Sequence, residues 1–133
     1  MSSRTESAAA LYTRWTAKVA TAGIFTVVGW LPKFTGNAGP LVERLPGGEP
    51  AVLTIAAIEL VIVVLLLIPR TGLFASALAV LSMLGAIASH LGPVGFDGDF
   101  MGVFIMALVA LATASTATAL EWKTRQSPTP AAA

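Results

Sequence analysis

Glu59 is the residue from which a chemical reading of this sequence starts. It is the one acid in the run Ala51–Ile68, which is otherwise apolar apart from Thr54. A carboxyl within such a run costs roughly 2.5–3.5 kcal/mol on membrane-insertion scales, so it turns inward toward a partner or a cavity. Lys33 closes an earlier apolar run together with Trp30-Leu31-Pro32, His90 is the only histidine, and Asp97 and Asp99 flank Gly98 in a short loop without a base. An acid, an amine and an imidazole suit proton exchange or recognition of a polar head group: a carbonyl needs a donor such as Lys33 or His90, and a hydroxyl needs an acceptor such as Glu59. Glu59, Lys33 and His90 are therefore the candidate catalytic residues. The candidate ligand-binding set is Trp30, Lys33, Glu59, His90, Asp97 and Asp99. Each has a plainer alternative. Glu59 and Lys33 can form a structural ion pair, or Glu59 a protonated carboxyl bonded to neighbours. His90 can be an interfacial residue satisfied by water, Trp30 part of an interfacial aromatic belt, and Asp97-Gly98-Asp99 a turn with Asp99 capping the next helix. The Asp-Gly-Asp loop lacks the later glutamate of a calcium site, and no spacing matches a metal-ligand motif, so no metal is expected.

The elements that must position these residues follow from composition. The 133 residues are 56% hydrophobic and 11% charged, with a mean hydropathy of +0.81, too little charge to cover a water-facing surface. Four apolar spans, about 16–32, 51–68, 73–91 and 100–120, are each near the length that a hydrocarbon core of roughly 30 Å requires. The fold class expected is all-α, an integral membrane four-helix bundle over residues 13–120. Residues 1–12 read as a flexible tail and 121–133 as a disordered, proline-containing one. Residues 34–50 read as a loop with a short turn around Leu41–Leu45. The four-residue turn Pro69-Arg70-Thr71-Gly72 makes spans two and three antiparallel neighbours. Small residues in span three, such as Ala75 with Ala79, permit close helix packing in lipid.

An even number of spans puts both termini on one side. That side collects Arg4, Arg14, Lys18, Arg70, Lys123 and Arg125, against Lys33 and Arg44 on the other. The positive-inside rule makes both termini cytoplasmic. Glu59, about 12 Å down its helix, then shares the outer half with Lys33, His90, Asp97 and Asp99. Eight basic and seven acidic residues give no field for nucleic acid. The absence of cysteine excludes thiol redox chemistry, and a single histidine excludes bis-histidine haem within one protomer.

The run Gly29-Trp30-Leu31-Pro32-Lys33-Phe34, the triplet Ile58-Glu59-Leu60, the turn Pro69-Arg70-Thr71-Gly72 and a small-residue third span ending at His90 resemble the DoxX-like family of four-helix membrane proteins, over about Thr13 to Leu120. The resemblance implies a multi-pass protein of the bacterial cell (inner) membrane, with Lys33, Glu59 and Arg70 at the family's polar positions and His90 beside them. The sequence departs from the family pattern at the arginine that usually opens span one, its nearest earlier basic residues being Lys18 and Arg14. Some relatives are linked to quinone-coupled sulfur oxidation or oxidative-stress complexes, and many have no assigned activity. Three functions are open. The first is a membrane subunit of a quinone-linked oxidoreductase, with no intrinsic cofactor, a quinone in the pocket and the electron carrier on a redox partner protein. The second is a non-redox enzyme or binding protein for a lipophilic compound, with Glu59 as acid or base. The third is a non-catalytic assembly subunit. The bilayer is the expected surrounding, and homo-oligomerisation is open.

Overall fold

The computed structural model describes residues 6–127; apart from short connections such as 35–38, 45–47 and 95–99 they are helical, with no strand among them. A first rod runs through α1 (Ala8–Ile24), a π-helical stretch (Phe25–Trp30) and α2 (Leu31–Phe34). A short helix α3 (Gly39–Arg44) follows, then α4 (Gly48–Leu67), the 3₁₀ turn Pro69–Thr71, α5 (Gly72–Ser89), a widened turn His90–Val94, and α6 (Phe100–Gln126). The first rod packs on α4 and α6, and α5 packs on the same two, so the rods close a ring in the order α1, α4, α5, α6.

Three helices are long and apolar enough to cross a membrane: α4, α5 with its flanking turns, and α6. Only 28% of the apolar stretch of α4 and of α5, and 22% of that of α6, is buried within the protein. Much of the remainder, including Val61, Val64, Leu84, Ile105 and Val109, faces outward. An outer surface this apolar is unstable in water, and it fits a membrane-embedded protein. The buried seam is built from small side chains instead. Ala75 and Ala79 of α5 meet Ala107, Ala110 and Ala114 of α6, around Ile62, Leu66, Phe25 and Met83. Because hydrocarbon solvates Leu and Val as well as a protein interior does, helix association there depends on close backbone approach, which small residues permit.

Boundaries depart from expectation in three places. Helix α4 begins at Gly48, ahead of Ala51, because Gly47 takes a left-handed φ of 95° at its cap and Pro50 is tolerated in a first turn. Helix α1 begins at Ala8, with Ser7 Oγ accepting the Ala10 N–H at 3.2 Å, so residues 8–12 are helix rather than tail. Helix α6 runs six residues past Leu120, to Gln126, so 121–126 are not disordered. The expected tails at 1–5 and 128–133 lie outside the described residues.

The extension of α6 has a cause in charge. Glu121 is 3% exposed and faces Lys18, 1% exposed, with Nζ to Oε1 at 3.2 Å; Arg14 Nη1 approaches Oε2 at 3.6 Å. Lys18 Nζ also lies 4.1 Å over the Trp15 ring. Gly72 makes room for the cluster: a Cβ there would stand 2.5 Å from Glu121 Oε1 and 2.9 Å from Lys18 Nζ. Beside it, Thr71 Oγ1 donates to the Leu65 carbonyl of α4 at 2.6 Å, closing the turn into α5, and Arg125 Nη2 donates to the Arg70 carbonyl at 3.0 Å. This terminal end of the bundle, where α1 starts and α6 finishes, is thus tied across α1, α5 and α6.

Removing one partner of a buried ion pair strands the other charge, at about 3–5 kcal/mol. Glu121→Ala is expected to lower thermal stability in detergent by that order, and Gly72→Ala to lower it through displacement of the same carboxylate. Thermal unfolding followed by circular dichroism checks both; a Glu121→Ala variant as stable as wild type overturns the assignment.

Candidate functional site

At the far end of the bundle the first rod leaves α6 and leans onto α4: α1 packs extensively on α6, whereas the π-helical stretch and α2 pack chiefly on α4. The lean is fixed by Lys33, whose Nζ donates to Glu59 Oε2 at 2.6 Å. Glu59 is 5% exposed. Gly29 stands one turn before Lys33 on the same face, and a Cβ on it would lie 3.1 Å from Glu59 Oε2. The carboxylate therefore sits against bare backbone on one side and the ammonium on the other. The π-helical stretch that carries Gly29 adds residues to the turn, a local widening found often at functional sites.

The wedge opened by this lean is a cavity of about 920 Å³. Its walls are mainly apolar, including Phe25, Ile62, Met83, Phe100, Val103 and Ala107, and Lys33, Glu59, His90, Asp97 and Asp99 all lie on them. Leu41 and Leu45, in and just after α3, line the end that α3 covers. Val27, Ile58 and Leu81 line the cavity too, near mid-height of their elements, while 69%, 51% and 64% exposed. The cavity therefore opens on the flank of the bundle as well as at its end.

His90 is 5% exposed and ringed by Phe96, Phe100 and Phe104, at centroid distances of 6.3, 6.3 and 5.6 Å. Its Nδ1 lies 2.9 Å from the Ala86 carbonyl oxygen, one turn back. Its Nε2 is buried without a hydrogen-bond partner. The following turn breaks at Gly92, just before Pro93, which leaves helical backbone at φ −115°, ψ −116°, a combination that the absence of a Cβ permits. Both widened turns, Phe25–Trp30 and His90–Val94, contribute to the cavity wall.

The structure gathers five of the six expected ligand-binding residues and leaves out the sixth. Trp30 is not on the cavity wall: its indole N–H donates to Thr26 Oγ1 at 3.2 Å, and its ring packs edge-on to Phe34. Helical register turns it away, since Gly29 and Lys33 already occupy the inward face. Asp99 precedes α6 but its side chain caps nothing, because its backbone is already helical (φ −67°, ψ −17°) and not the extended form a capping side chain needs. Asp97 is mostly exposed, 3.4 Å from Arg44 Nη1, a pair of small energetic weight. Arg70 is exposed at the terminal end, remote from the cavity. Among the described residues no group of three or more acidic or histidine side chains is placed to hold a metal ion.

Arg44, read from sequence only as a topology charge, ties the mouth together. Its Nη1 donates to the Val94 carbonyl at 2.7 Å, and its guanidinium lies 4.6 Å over the Phe100 ring. This joins α3 to the loop before α6. A lone arginine in a glycine- and proline-rich loop gives no sequence signal for such a contact.

If Lys33 and Glu59 act as a closed pair, Lys33→Met alone is expected to destabilise the protein by about 3–5 kcal/mol, and Lys33→Met with Glu59→Leu to recover most of that loss. A double-mutant cycle on thermal stability measures the coupling; additive losses overturn the pairing. No protein family, characterised protein or solved structure matches this chain, so its geometry stands on its own.

Proposed function

We propose that this chain is a four-span membrane protein with both termini in the cytoplasm, whose cavity at the other end holds a small amphipathic molecule, a quinone head group being the first choice. In this reading it is the membrane subunit of a quinone-linked oxidoreductase system in the bacterial cell membrane, related to DoxX-like proteins through the residues that carry Lys33, Glu59 and His90. The observation that carries it is the cavity itself. At about 920 Å³ it falls within the roughly 300–1,000 Å³ usual for small-molecule sites, and it has their form, an apolar wall with a few convergent polar groups.

The Lys33 ammonium has N–H donors beyond the one given to Glu59, and a quinone carbonyl accepts one. The Glu59 carboxylate can accept a hydroxyl hydrogen of the reduced form. Without cysteine, and with one histidine, the chain leaves the electron-carrying centre to a partner protein. The first rod supports a fourth span. Residues 8–34 extend about 40 Å at 1.5 Å per residue, and Lys18, the charge that interrupts its hydropathy, is neutralised by Glu121.

Decylubiquinone, titrated oxidised and reduced, is expected to bind the detergent-purified protein saturably in at least one state. Glu59→Gln or His90→Ala should weaken that binding about tenfold, or about 1.4 kcal/mol. No saturable binding by wild type, or unchanged affinity in both variants, removes the reading. Sidedness has its own test, made clean by a cysteine-free background. Asn37→Cys should react with an impermeant maleimide in intact cells, and Ser127→Cys only after permeabilisation; the reverse pattern inverts the topology.

A further inference from the structure

We infer that the terminal end of the bundle binds the head group of an anionic phospholipid, its phosphate held by Arg70 and Arg125 where the turn between α4 and α5 meets the last turn of α6. The inference concerns the end opposite the cavity and does not depend on what the cavity holds.

The charges at this end do not balance. All seven acids of the chain lie among the described residues, and only Glu6 and Glu121 stand here. Both are already taken, Glu6 by Arg14 at 3.0 Å and Glu121 by Lys18 and Arg14. Arg70, Lys123 and Arg125 therefore have no carboxylate within ion-pair distance among the described residues. Arg125 is nevertheless drawn to Arg70. Its Nη2 donates to the Arg70 carbonyl at 3.0 Å, which by backbone dimensions keeps the guanidinium within about 5.5 Å of the Arg70 Cα. Two exposed guanidinium side chains thus rise from one spot. Arg125 spends one of its five N–H donors on that carbonyl, and the rest of the pair's donors face outward. Like charges held this close repel, and an anion that accepts from both removes the repulsion. A phosphate, with its several oxygens, matches guanidinium geometry.

The surroundings favour a phosphate that carries hydrocarbon chains. Exposed Leu67 and Ile68 end the apolar run of α4 two residues before Arg70. Exposed Trp122 lies three residues before Arg125, on the same face of α6 and about 4.5 Å nearer the middle of the bundle. Tryptophan concentrates at head-group depth. The two arginines therefore stand just above an aliphatic and aromatic rim, at the level where a bilayer carries its phosphates, and basic groups between helix ends at that level suit anionic lipid. Lys123 does not belong to the site, being two residues, about 200°, from Arg125 around the helix.

The probes are dioleoyl phosphatidylglycerol and dioleoyl phosphatidylcholine, which share their chains and differ in net charge. Detergent-purified protein is equilibrated with equal amounts of both, and the lipid retained is weighed by native mass spectrometry. Wild type is expected to retain the anionic lipid at least about fivefold over the zwitterionic one. Arg70→Gln, which keeps the backbone carbonyl used by Arg125, should reduce that preference to within about twofold. The Arg70 side chain makes no ion pair or hydrogen bond within the protein, so the variant should fold with unchanged thermal stability. Lys123→Gln removes the same charge from the other face of α6 and should leave the preference intact. No preference in wild type, a preference unchanged in Arg70→Gln, or equal losses in both variants, the sign of a diffuse field, overturns the inference. So does displacement of the bound lipid by an equal concentration of glycerol 3-phosphate, which would assign the arginines to a soluble phosphate instead.

Discussion

A charge carried on an apolar helix has to find its counter-ion inside the bundle, and in this protein the first rod carries two such charges fifteen residues apart in sequence, Lys18 and Lys33. Lys18 meets Glu121 on α6, and Lys33 meets Glu59 on α4. The two counter-ions stand on different neighbours, so the rod cannot lie along either one for its whole length. It follows α6 through Ala17, Thr21 and the 2.8 Å contact between Thr21 Oγ1 and Thr113 Oγ1, then crosses onto α4. The space given up by that crossing is the cavity. A packing seam of small residues would otherwise close the bundle along its whole length, as Ala75, Ala79, Ala110 and Ala114 close it between α5 and α6.

Each ion pair is also seated against a glycine, Gly29 for Glu59 and Gly72 for Glu121. A carboxylate that reaches another helix needs room for its oxygens at the far side of the gap, and removing a Cβ supplies it without disturbing the seam on either flank. Gly72 serves a second purpose as the first residue of α5, directly after the Thr71 hydroxyl has closed off the end of α4.

The Lys33–Glu59 partnership was legible in the sequence as one of a few ways to satisfy a carboxyl within Ala51–Ile68, favoured because Lys33 ends its run on the matching side. His90 followed from chain direction through the Pro69–Gly72 turn. Lys18–Glu121 escaped the same logic because both lie near run ends, where charge reads as solvent-facing; only the fold shows that α6 continues and buries Glu121. The π-helical widening at Phe25–Trp30 escaped as well, since one extra residue per turn leaves composition and hydropathy unchanged. The role of Arg44 depends on a carbonyl, Val94 O, and backbone acceptors carry no residue-type signature.

The flank opening beside Val27, Ile58 and Leu81 bears on how quickly the cavity can fill. Helix α3 covers part of the watery end and is tied there by Arg44, whereas the side opening is framed by aliphatic side chains that present no barrier to a molecule dissolved in hydrocarbon. The rate of entry by that route scales with the concentration of the molecule in the bilayer, which its partition coefficient raises above the aqueous one, while the equilibrium occupancy is the same by either route. A compound with a long alkyl tail is concentrated around the opening before it meets the protein, while its tail can stay in the bilayer as the polar ring moves inward.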